Sequence, residues 1–472
     1  MVSIDGARFD YLDRQTLPTL DRLASEGWRA DSLQLMFPTK TFATHYAMVT
    51  GQYPGHNGVV ANHMWDPQRR QAFSRSDPDS VADGYWYGGE PIWNTAEKAG
   101  LRAAIYFWPG SEAQIGGWRP SDFKPYAGDT PHDQRVEQIL KWLDRPEEQR
   151  PDLLTLYFSV VDSVGHARGP DHPAVREAMA EVDRALGKLM DGLQRRGLLG
   201  RMHLLVTSDH GMAEIAPERY VLLDEIIPLD RLRVSDWGPA AQLWIEDGGP
   251  SARTLLDAIN EARHPGIRRA WLRGGGPARY RFDGHRRVPD LTIEAMPGWM
   301  ISSRARHARV LDDPPAGMHG WDPAWLPMHG LFIAHGPAFA PGQRLPAVRG
   351  IDLYALMARL LDIVPAPNDG DAHAFAALLH QPGRIAVREQ RWVCEGRPIL
   401  TRTVGDLGSL HVGAQVYALV RTPGGDPELY ADGDVAVRFR GPQLDVTIEG
   451  HTWPDCPAVD TGPHLRGPAS GD

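Results

Sequence analysis

The stretch FPTKTFATHYAMVTGQYPGHNGVVAN, residues 37–62, decides how this chain is read. It carries four threonines and one lysine, and neither an acid nor a cysteine. Pro38 biases Phe37 toward an extended backbone, and TFATHYAMVTG then reads as a short helix stopped by Gly51. That places Thr39 or Thr41 at a helix N-terminus, where unpaired N–H groups and the helix dipole favour negative charge. A threonine there is a candidate nucleophile only if something nearby promotes loss of its proton.

Working outward, MVSIDG (1–6) reads as a strand entering a loop, and LPTLDRLASEGWRA (17–30) has helical spacing with a glycine stop. AAIYFWPG (103–110) is a strand ended by a Pro-Gly turn, and DQRVEQILKWLD (133–144) is an amphipathic helix. DLLTLYFSVVDSVGH (152–166) reads as a buried strand followed by a loop. A long helix follows at 172–199, and MHLLVTSDHG (202–211) is a strand breaking at an acidic dipeptide. Alternating apolar strands and amphipathic helices predict an α/β fold, a mostly parallel sheet flanked by helices on both faces. Ligands of such sheets bind beyond the carboxyl ends of the strands, which is where Asp5, Asp162 and Asp209 fall.

The 472 residues, 42% of them hydrophobic, suffice for a large core in two or three domains. Net charge is −10 with no basic run, which argues against a nucleic-acid-binding face. No apolar run approaches the ~18 residues of a membrane span. After PAPNDGD (365–371) the pattern changes to short alternating segments between Gly and Asp turns, an antiparallel β module. The expected division is 1–382, a catalytic α/β domain; 388–460, a small β domain; and 461–472, a flexible tail. The two cysteines, Cys394 and Cys456, flank the β module and read either as buried thiols or as a disulfide closing it.

Acids and histidines near strand ends fall into three groups: Asp162 with His166, the pair Asp209–His210, and His319 in GMHGWDP, with Asp5 in SIDG as a third carboxylate. Singly, each has an ordinary reading as a turn, a cap or a loop histidine. Together, three carboxylates and three imidazoles on one edge of a sheet suit two zinc ions, each with three protein ligands and one open position. The charge of such an ion lowers the pKa of a bound hydroxyl, so a threonine needs no neighbouring base. A serine–histidine triad is the rival explanation, but the chain has no G-x-S-x-G elbow.

SIDG, FPTKTF, HY, VTGQYPGHNGVVAN, GEPIW, YFWPGSE, DSVGH, SDHGM and GMHGWDP…MHGLFIAHGP together resemble, in order, the motifs of the nucleotide pyrophosphatase/phosphodiesterases of the alkaline phosphatase superfamily. The resemblance implies an alkaline-phosphatase-like fold over residues 1 to about 370. It implies that Thr41, not Thr39, is the nucleophile, passing through a phospho-threonine; Thr39, extended just after Pro38, reads as a loop position without a ligand role. It further implies one zinc on Asp162, His166 and His319 and the other on Asp5, Asp209, His210 and Thr41. Asn62 matches the oxyanion-side donor, and Phe42 and Tyr126 match an aromatic pair that sandwiches a nucleobase. Where the family has TFPNHY this chain has TFATHY, and Ala43 and Thr44 bear on base preference. Lys40 reads as an exposed loop lysine or a phosphate contact, and His45, His329 and His335 as residues behind the ligands or packing residues. Trp86, Trp93 and Trp108 read as core and pocket walls. The expected activity is release of a nucleoside monophosphate from a nucleotide-like small molecule. The alternatives are a lipid or headgroup phosphodiesterase on the same site, or a lysozyme-binding protein with a vestigial catalytic half.

WVCEG, LYADGD and IEGHTWPDC resemble the small β-barrel of bacterial membrane-bound inhibitors of C-type lysozyme. That resemblance implies a Cys394–Cys456 bridge. The family's Ser-Gly-x-x-Tyr loop aligns with Asp426-Pro427-Glu428-Leu429-Tyr430, and loss of its Ser and Gly points to a structural or docking role in place of inhibition. Both resemblances and the cysteine pair point to a periplasmic or secreted protein. Met1 is followed at once by a core-like strand, so a reading frame extending upstream into a signal sequence is expected.

Overall fold

Val2, Ser3 and Ile4 form the middle strand of an eight-stranded sheet, and all three are buried. The computed structural model describes residues 1–422 and 428–459. Across the sheet the strands run Gln343–Leu345, Trp28–Ala30, Phe332–His335, Leu204–Thr207, Val2–Ile4, Leu153–Phe158, Ala103–Tyr106 and Asp122–Lys124. Phe332–His335 is antiparallel to both neighbours, and every other pairing is parallel. Helices Pro18–Ser25, His132–Leu143 and Pro173–Arg195 cover one face through residues such as Leu20, Ile139 and Leu186. Helices Thr41–Thr50, Ile92–Lys98 and Leu353–Leu360 cover the other, where Trp86, Trp93 and Trp108 are buried as expected.

One local reading is corrected. DSVGH is not a loop: helix Val160–Arg168 begins two residues after the strand ending at Phe158, and it carries both Asp162 and His166. Four residues apart on a helix, the two side chains share a face, so their meeting is built into the local structure. A further feature lies outside the sequence reading. Between the strands at 204–207 and 332–335, a separate antiparallel sheet orders as Leu232–Asp236, Ala240–Ile245, Leu291–Ala295 and Ile267–Leu272. Helix Ala252–Ala262 packs Leu255, Leu256 and Ile259 into the same core.

From Arg388 to Pro457 eight antiparallel strands follow one another in sequence order. The Val459 N–H donates to the Arg391 carbonyl at 2.9 Å beside a Trp392–Ala458 bridge, so the sheet nearly closes into a barrel. The barrel carries the expected Cys394–Cys456 disulfide, with Cα atoms 4.7 Å apart. It is docked on the α/β part through polar contacts. Arg349 donates to Asp432 at 2.9 Å, Arg279 reaches both Asp322 (2.7 Å) and Glu449, and Arg402 pairs with Asp31. The Val416 N–H donates to the Ala324 carbonyl at 2.8 Å, and the Leu326 N–H to Ala414 at 3.0 Å. The turn at Gly433 (φ +59°) lies so close to Arg279 that a Cβ there would come within 2.6 Å of its Cα. Asp426, Pro427 and the tail 461–472 fall outside the described residues. Tyr430 is buried, and its hydroxyl donates to the Gly405 carbonyl at 3.2 Å.

Candidate active site

Three strands deliver three carboxylates to one place. Asp5 follows Ile4 and Asp209 lies two residues past Thr207, while Asp162 enters from the first turn of the helix behind Phe158. The close approach depends on Gly6, whose N–H donates to Asp209 Oδ1 at 3.1 Å. At φ +69°, a Cβ on Gly6 would sit 2.9 Å from the Cα of Asp162. Only glycine takes that conformation and that contact without strain.

The three histidines are held alike. His166 Nδ1 donates to the Gly317 carbonyl (2.8 Å), His319 Nδ1 to Thr39 (2.7 Å) and His210 Nδ1 to Gly211 (2.9 Å). Each bond fixes the proton on Nδ1 and leaves Nε2 with a free lone pair, the arrangement of a metal-ligating imidazole. Those Nε2 atoms face carboxylate oxygens: His166 and His319 lie 3.3 and 3.7 Å from Asp162 Oδ1, and His210 lies 3.0 Å from Asp209 Oδ2 and 3.4 Å from Asp5 Oδ1. His210 and His319 stack with ring centroids 3.4 Å apart.

Buried polar atoms ordinarily find partners, yet Asp5 Oδ1, Asp162 Oδ1, Asp209 Oδ2 and His210 Nε2 have no hydrogen-bond partner within the protein. Two of the compact ligand-type groups formed here are Asp162–His166–His319 and Asp5–Asp162–His210. Lone pairs on both sides of the same gaps are what bound cations would satisfy, so the residues fit a metal centre. Electrostatics agree. Burial, then the charges of Asp209 and Asp162, raise the Asp5 pKa well above its ordinary value. Burial opposes ionisation of Asp209 too, but His210 and His45 outweigh it and hold its pKa well below normal. For Asp162, burial is outweighed by His166, with His319 and His210 adding to the effect, and its pKa falls to about 2. Three carboxylates packed this closely cannot all be charged cheaply without positive charge between them.

A third group, Asp5–His45–Asp209, also meets the spacing. His45 differs chemically, however. Its Nδ1 donates to the Thr41 carbonyl at 2.9 Å, and its Nε2 accepts from Ser3 Oγ at 2.8 Å, so no lone pair remains. His45 therefore braces the helix start, in keeping with its reading as a residue behind the ligands.

Thr41 is the first residue of helix Thr41–Thr50, and Gly51 (φ 64°) ends that helix as the sequence predicts. It lines a cavity of about 490 Å³ shared with Asn62, Asp162, His166 and His319. Asn62 Oδ1 accepts the Phe42 N–H at 2.9 Å, which turns its amide NH2 into the free donor. Phe42 is buried edge-on to Phe73, with centroids 5.4 Å apart. Tyr126 is 52% exposed, packs edge-on to Phe107 and donates its hydroxyl to Ser159 Oγ at 3.2 Å. No ring contact joins Phe42 to Tyr126 among the described residues.

Two positions beside Thr41 are corrected. Lys40 is buried, not exposed; it is paired with Asp236 and donates to the Trp237 carbonyl at 3.1 Å. Thr39 is fully buried and does structural work. Its Oγ1 donates to the Trp321 carbonyl at 3.1 Å and accepts from the Gly320 N–H at 3.0 Å, while its carbonyl holds His319. Asp236 and Trp321 belong to distant parts of the chain, so no local pattern announces either contact. His329 is buried, with Nδ1 2.9 Å from Ser32 Oγ, and His335 lies 3.4 Å from Glu26; neither touches the metal-type groups.

The model of the family described as type I phosphodiesterase / nucleotide pyrophosphatase matches residues 1–322. The chain belongs to that family. It is 35% identical over 390 residues to ectonucleotide pyrophosphatase/phosphodiesterase family member 1 of Mus musculus, covering 81% of this chain and 42% of the relative. It is 34% identical to venom phosphodiesterase CdcPDE of Crotalus durissus collilineatus, covering 81% and 46%. This phosphodiesterase-family chain thus spans less than half the length of these relatives. Among solved structures, murine ectonucleotide pyrophosphatase / phosphodiesterase 5 superposes with TM-score 0.75 at 31% identity, over 80% of this chain and 98% of the other. The same protein is known as an inactive threonine-to-alanine variant in complex with AMP. Family members are metal-dependent, in keeping with the ligand-type groups seen here.

Proposed function

We propose that this chain hydrolyses nucleotide phosphodiester and pyrophosphate bonds, releasing a nucleoside monophosphate. In this reading one zinc would be held by Asp162, His166 and His319, and the other by Asp5, Asp209 and His210 together with Thr41. One observation carries it: three imidazole lone pairs, each freed by an Nδ1–H bond to a backbone carbonyl, face partnerless carboxylate oxygens beside a threonine that opens a helix. Bound zinc supplies Lewis-acid charge, which lowers the pKa of a nearby hydroxyl and offsets charge on phosphoryl oxygens. Thr41 Oγ gives up its proton to solvent and bonds to phosphorus while the bond to the leaving oxygen breaks, and the leaving group departs with the electron pair. Water then attacks the phospho-threonine and the Oγ–P bond breaks with its electron pair on Oγ; one proton of the water restores the threonine hydroxyl, the other goes to solvent, and the nucleoside monophosphate is freed. The Asn62 amide donates to a phosphoryl oxygen throughout. Phe42, fixed by Phe73, and Tyr126, anchored on Ser159, offer faces to a base. The disulfide supports an address in an oxidising compartment, periplasmic or extracellular. No helix among the described residues is long and apolar enough to cross a membrane.

Thr41→Ala is expected to abolish nucleotide hydrolysis with zinc content intact, and Thr41→Ser to keep substantial activity because only a methyl group is lost. Elemental analysis, turnover and acid-quench trapping of phospho-threonine check this. Near-normal turnover in Thr41→Ala would show direct attack by water, and turnover confined to choline-type diesters would replace the nucleotide reading with the headgroup one.

A further inference from the structure

We propose that Arg135 is a positioning residue for nucleotide binding: it locks the loop 125–131 against the sheet and so holds Tyr126 where a nucleobase meets its face. The inference rests on the nucleotide reading above, in which Tyr126 contacts the base, and adds what keeps that ring in place. Such a device is needed. Tyr126 is 52% exposed, and its neighbours Pro125, Ala127, Gly128, Asp129 and Pro131 are exposed as well. The loop therefore buries too little apolar surface to fix its own shape, although the Thr130 N–H closes a turn onto the Ala127 carbonyl at 3.1 Å.

Arg135 supplies what the loop lacks. It lies near the start of helix His132–Leu143 and is 1% exposed. Its Nε donates to the Thr130 carbonyl at 2.9 Å, its Nη2 to Gly128 at 2.8 Å and its Nη1 to Tyr157 at 2.9 Å. No carboxylate is ion-paired with it among the described residues; the rings of Phe107 and Phe158 lie 5.1 and 5.9 Å from its central carbon instead. Burying a cation without a counter-ion costs stability, so stability alone does not account for this arrangement. Placement does, because a rigid planar fork fixes several carbonyls at once.

Those carbonyls lie on both sides of the seat of the tyrosine. Gly128 and Thr130 belong to the loop that carries Tyr126. Tyr157 belongs to strand Leu153–Phe158, and Ser159, two residues on, accepts the Tyr126 hydroxyl at 3.2 Å. One guanidinium thus joins the backbone that bears the ring to the backbone that bears its anchor. Phe107 completes the seat, edge-on to Tyr126 with centroids 5.4 Å apart, and at φ +67° it takes a left-handed conformation that bulky residues rarely adopt. The seat adjoins the carboxylates: Tyr126 also packs edge-on to Tyr157, at 6.0 Å, whose hydroxyl donates to Asp5.

The test measures kcat and KM on zinc-loaded protein for the nitrophenyl ester of AMP and for bis-nitrophenyl phosphate, which share a leaving group and differ in the presence of a base. Arg135→Met is expected to raise KM for the AMP ester roughly tenfold, part of what stacking on one aromatic contributes, with kcat within about twofold and both constants for the base-free diester nearly unchanged. Inhibition by AMP weakens by the same factor. Arg135→Lys keeps the charge but reaches fewer carbonyls and raises KM about threefold, and it decides the matter should the methionine variant fail to fold. In a Tyr126→Ala background neither substitution raises KM further, as expected when one residue acts through the other. Equal losses on the two esters, an unchanged KM, or a further rise in the Tyr126→Ala background each overturn the proposal. If Tyr126→Ala raises KM for the AMP ester while the Arg135 variants do not, positioning by Arg135 falls and the nucleotide reading stands. Wild type with no preference for the AMP ester and no response to Tyr126→Ala overturns both.

Discussion

At the scale of single residues, the site depends on side chains that never touch substrate. Thr39 shows this best: one hydroxyl ties Trp321 and Gly320, and its carbonyl orients His319. Thr39→Val keeps the shape, strands the buried Gly320 N–H and is expected to cost about 2 kcal/mol of stability. It should also weaken zinc binding, because the loop that presents His319 loosens. Chemical denaturation and competition with a metal-chelating dye check both effects, and unchanged zinc affinity would show that the loop is held by other contacts. One buried histidine and one half-buried histidine set an acid limit on the fold. Burial lowers the pKa of His329 to about 3, and burial with the nearby Arg402 lowers that of His411 to about 4. Between pH 6.5 and those values the unfolded chain binds protons that the folded chain refuses, so folding stability falls as pH falls, by on the order of a few kcal/mol in total. Denaturant midpoints of metal-free protein across that range measure the slope, and His411→Gln is expected to flatten part of it.

At the scale of elements, the strand–Gly6 turn and helix Val160–Arg168 are fitted to each other with no spare room. Gly6→Ala forces a left-handed residue that costs ~1–2 kcal/mol and drives a Cβ against the Asp162 backbone. The expected result is a fall in zinc affinity that is large for a one-methyl change, read by the same dye competition; wild-type affinity would mean that the helix can retreat without disturbing Asp162. These elements also show what a sequence can reveal. Asp5, Asp162 and Asp209 were legible because parallel strands end in the loops that bind ligands, and the helix at 41–50 because Pro38 and Gly51 mark its bounds. The barrel was legible from period-two alternation between glycine turns. Asp162 and His166 were misassigned to a loop because VVDSVGH is rich in β-branched residues and lacks a capping signal, and Ser159 indeed makes no side-chain cap bond. Lys40 and Thr39 were misread because their partners lie 196 and 282 residues away, beyond any local pattern. The inserted sheet has a strand that ends at Asp236, with Trp237 just beyond it, and without these two residues the buried state of Lys40 cannot be deduced.

At the scale of the whole molecule, the barrel is built onto the α/β part and not merely tethered to it. Its turn at Gly433 presses on Arg279, its Asp432 is held by Arg349, and its strand Gln415–Arg421 extends across residues 324–326. Tyr430, the residue aligned with the tyrosine of the lysozyme-blocking loop, points into packed structure with its hydroxyl spent on Gly405. The segment gripped by the barrel is the one that carries His319. Ala324 packs in the barrel core, and Asp322 is held by both Arg268 and Arg279. On the metal reading proposed above, a cation that tightens on His319 is expected to steady the barrel, and by thermodynamic reciprocity loosening the barrel is expected to loosen the cation. The Cys394–Cys456 bond closes a loop of 62 residues, worth roughly 4 kcal/mol in the chain-entropy view. Zinc-loaded protein is accordingly expected to yield its thiols to a phosphine more slowly than metal-free protein, and reduced protein to bind zinc more weakly; equal reduction rates with and without zinc would break the connection. On the metal reading proposed above, the barrel would then act as a keeper of metal occupancy, and breaking its one disulfide would be felt at a centre whose proposed ligands include no sulfur.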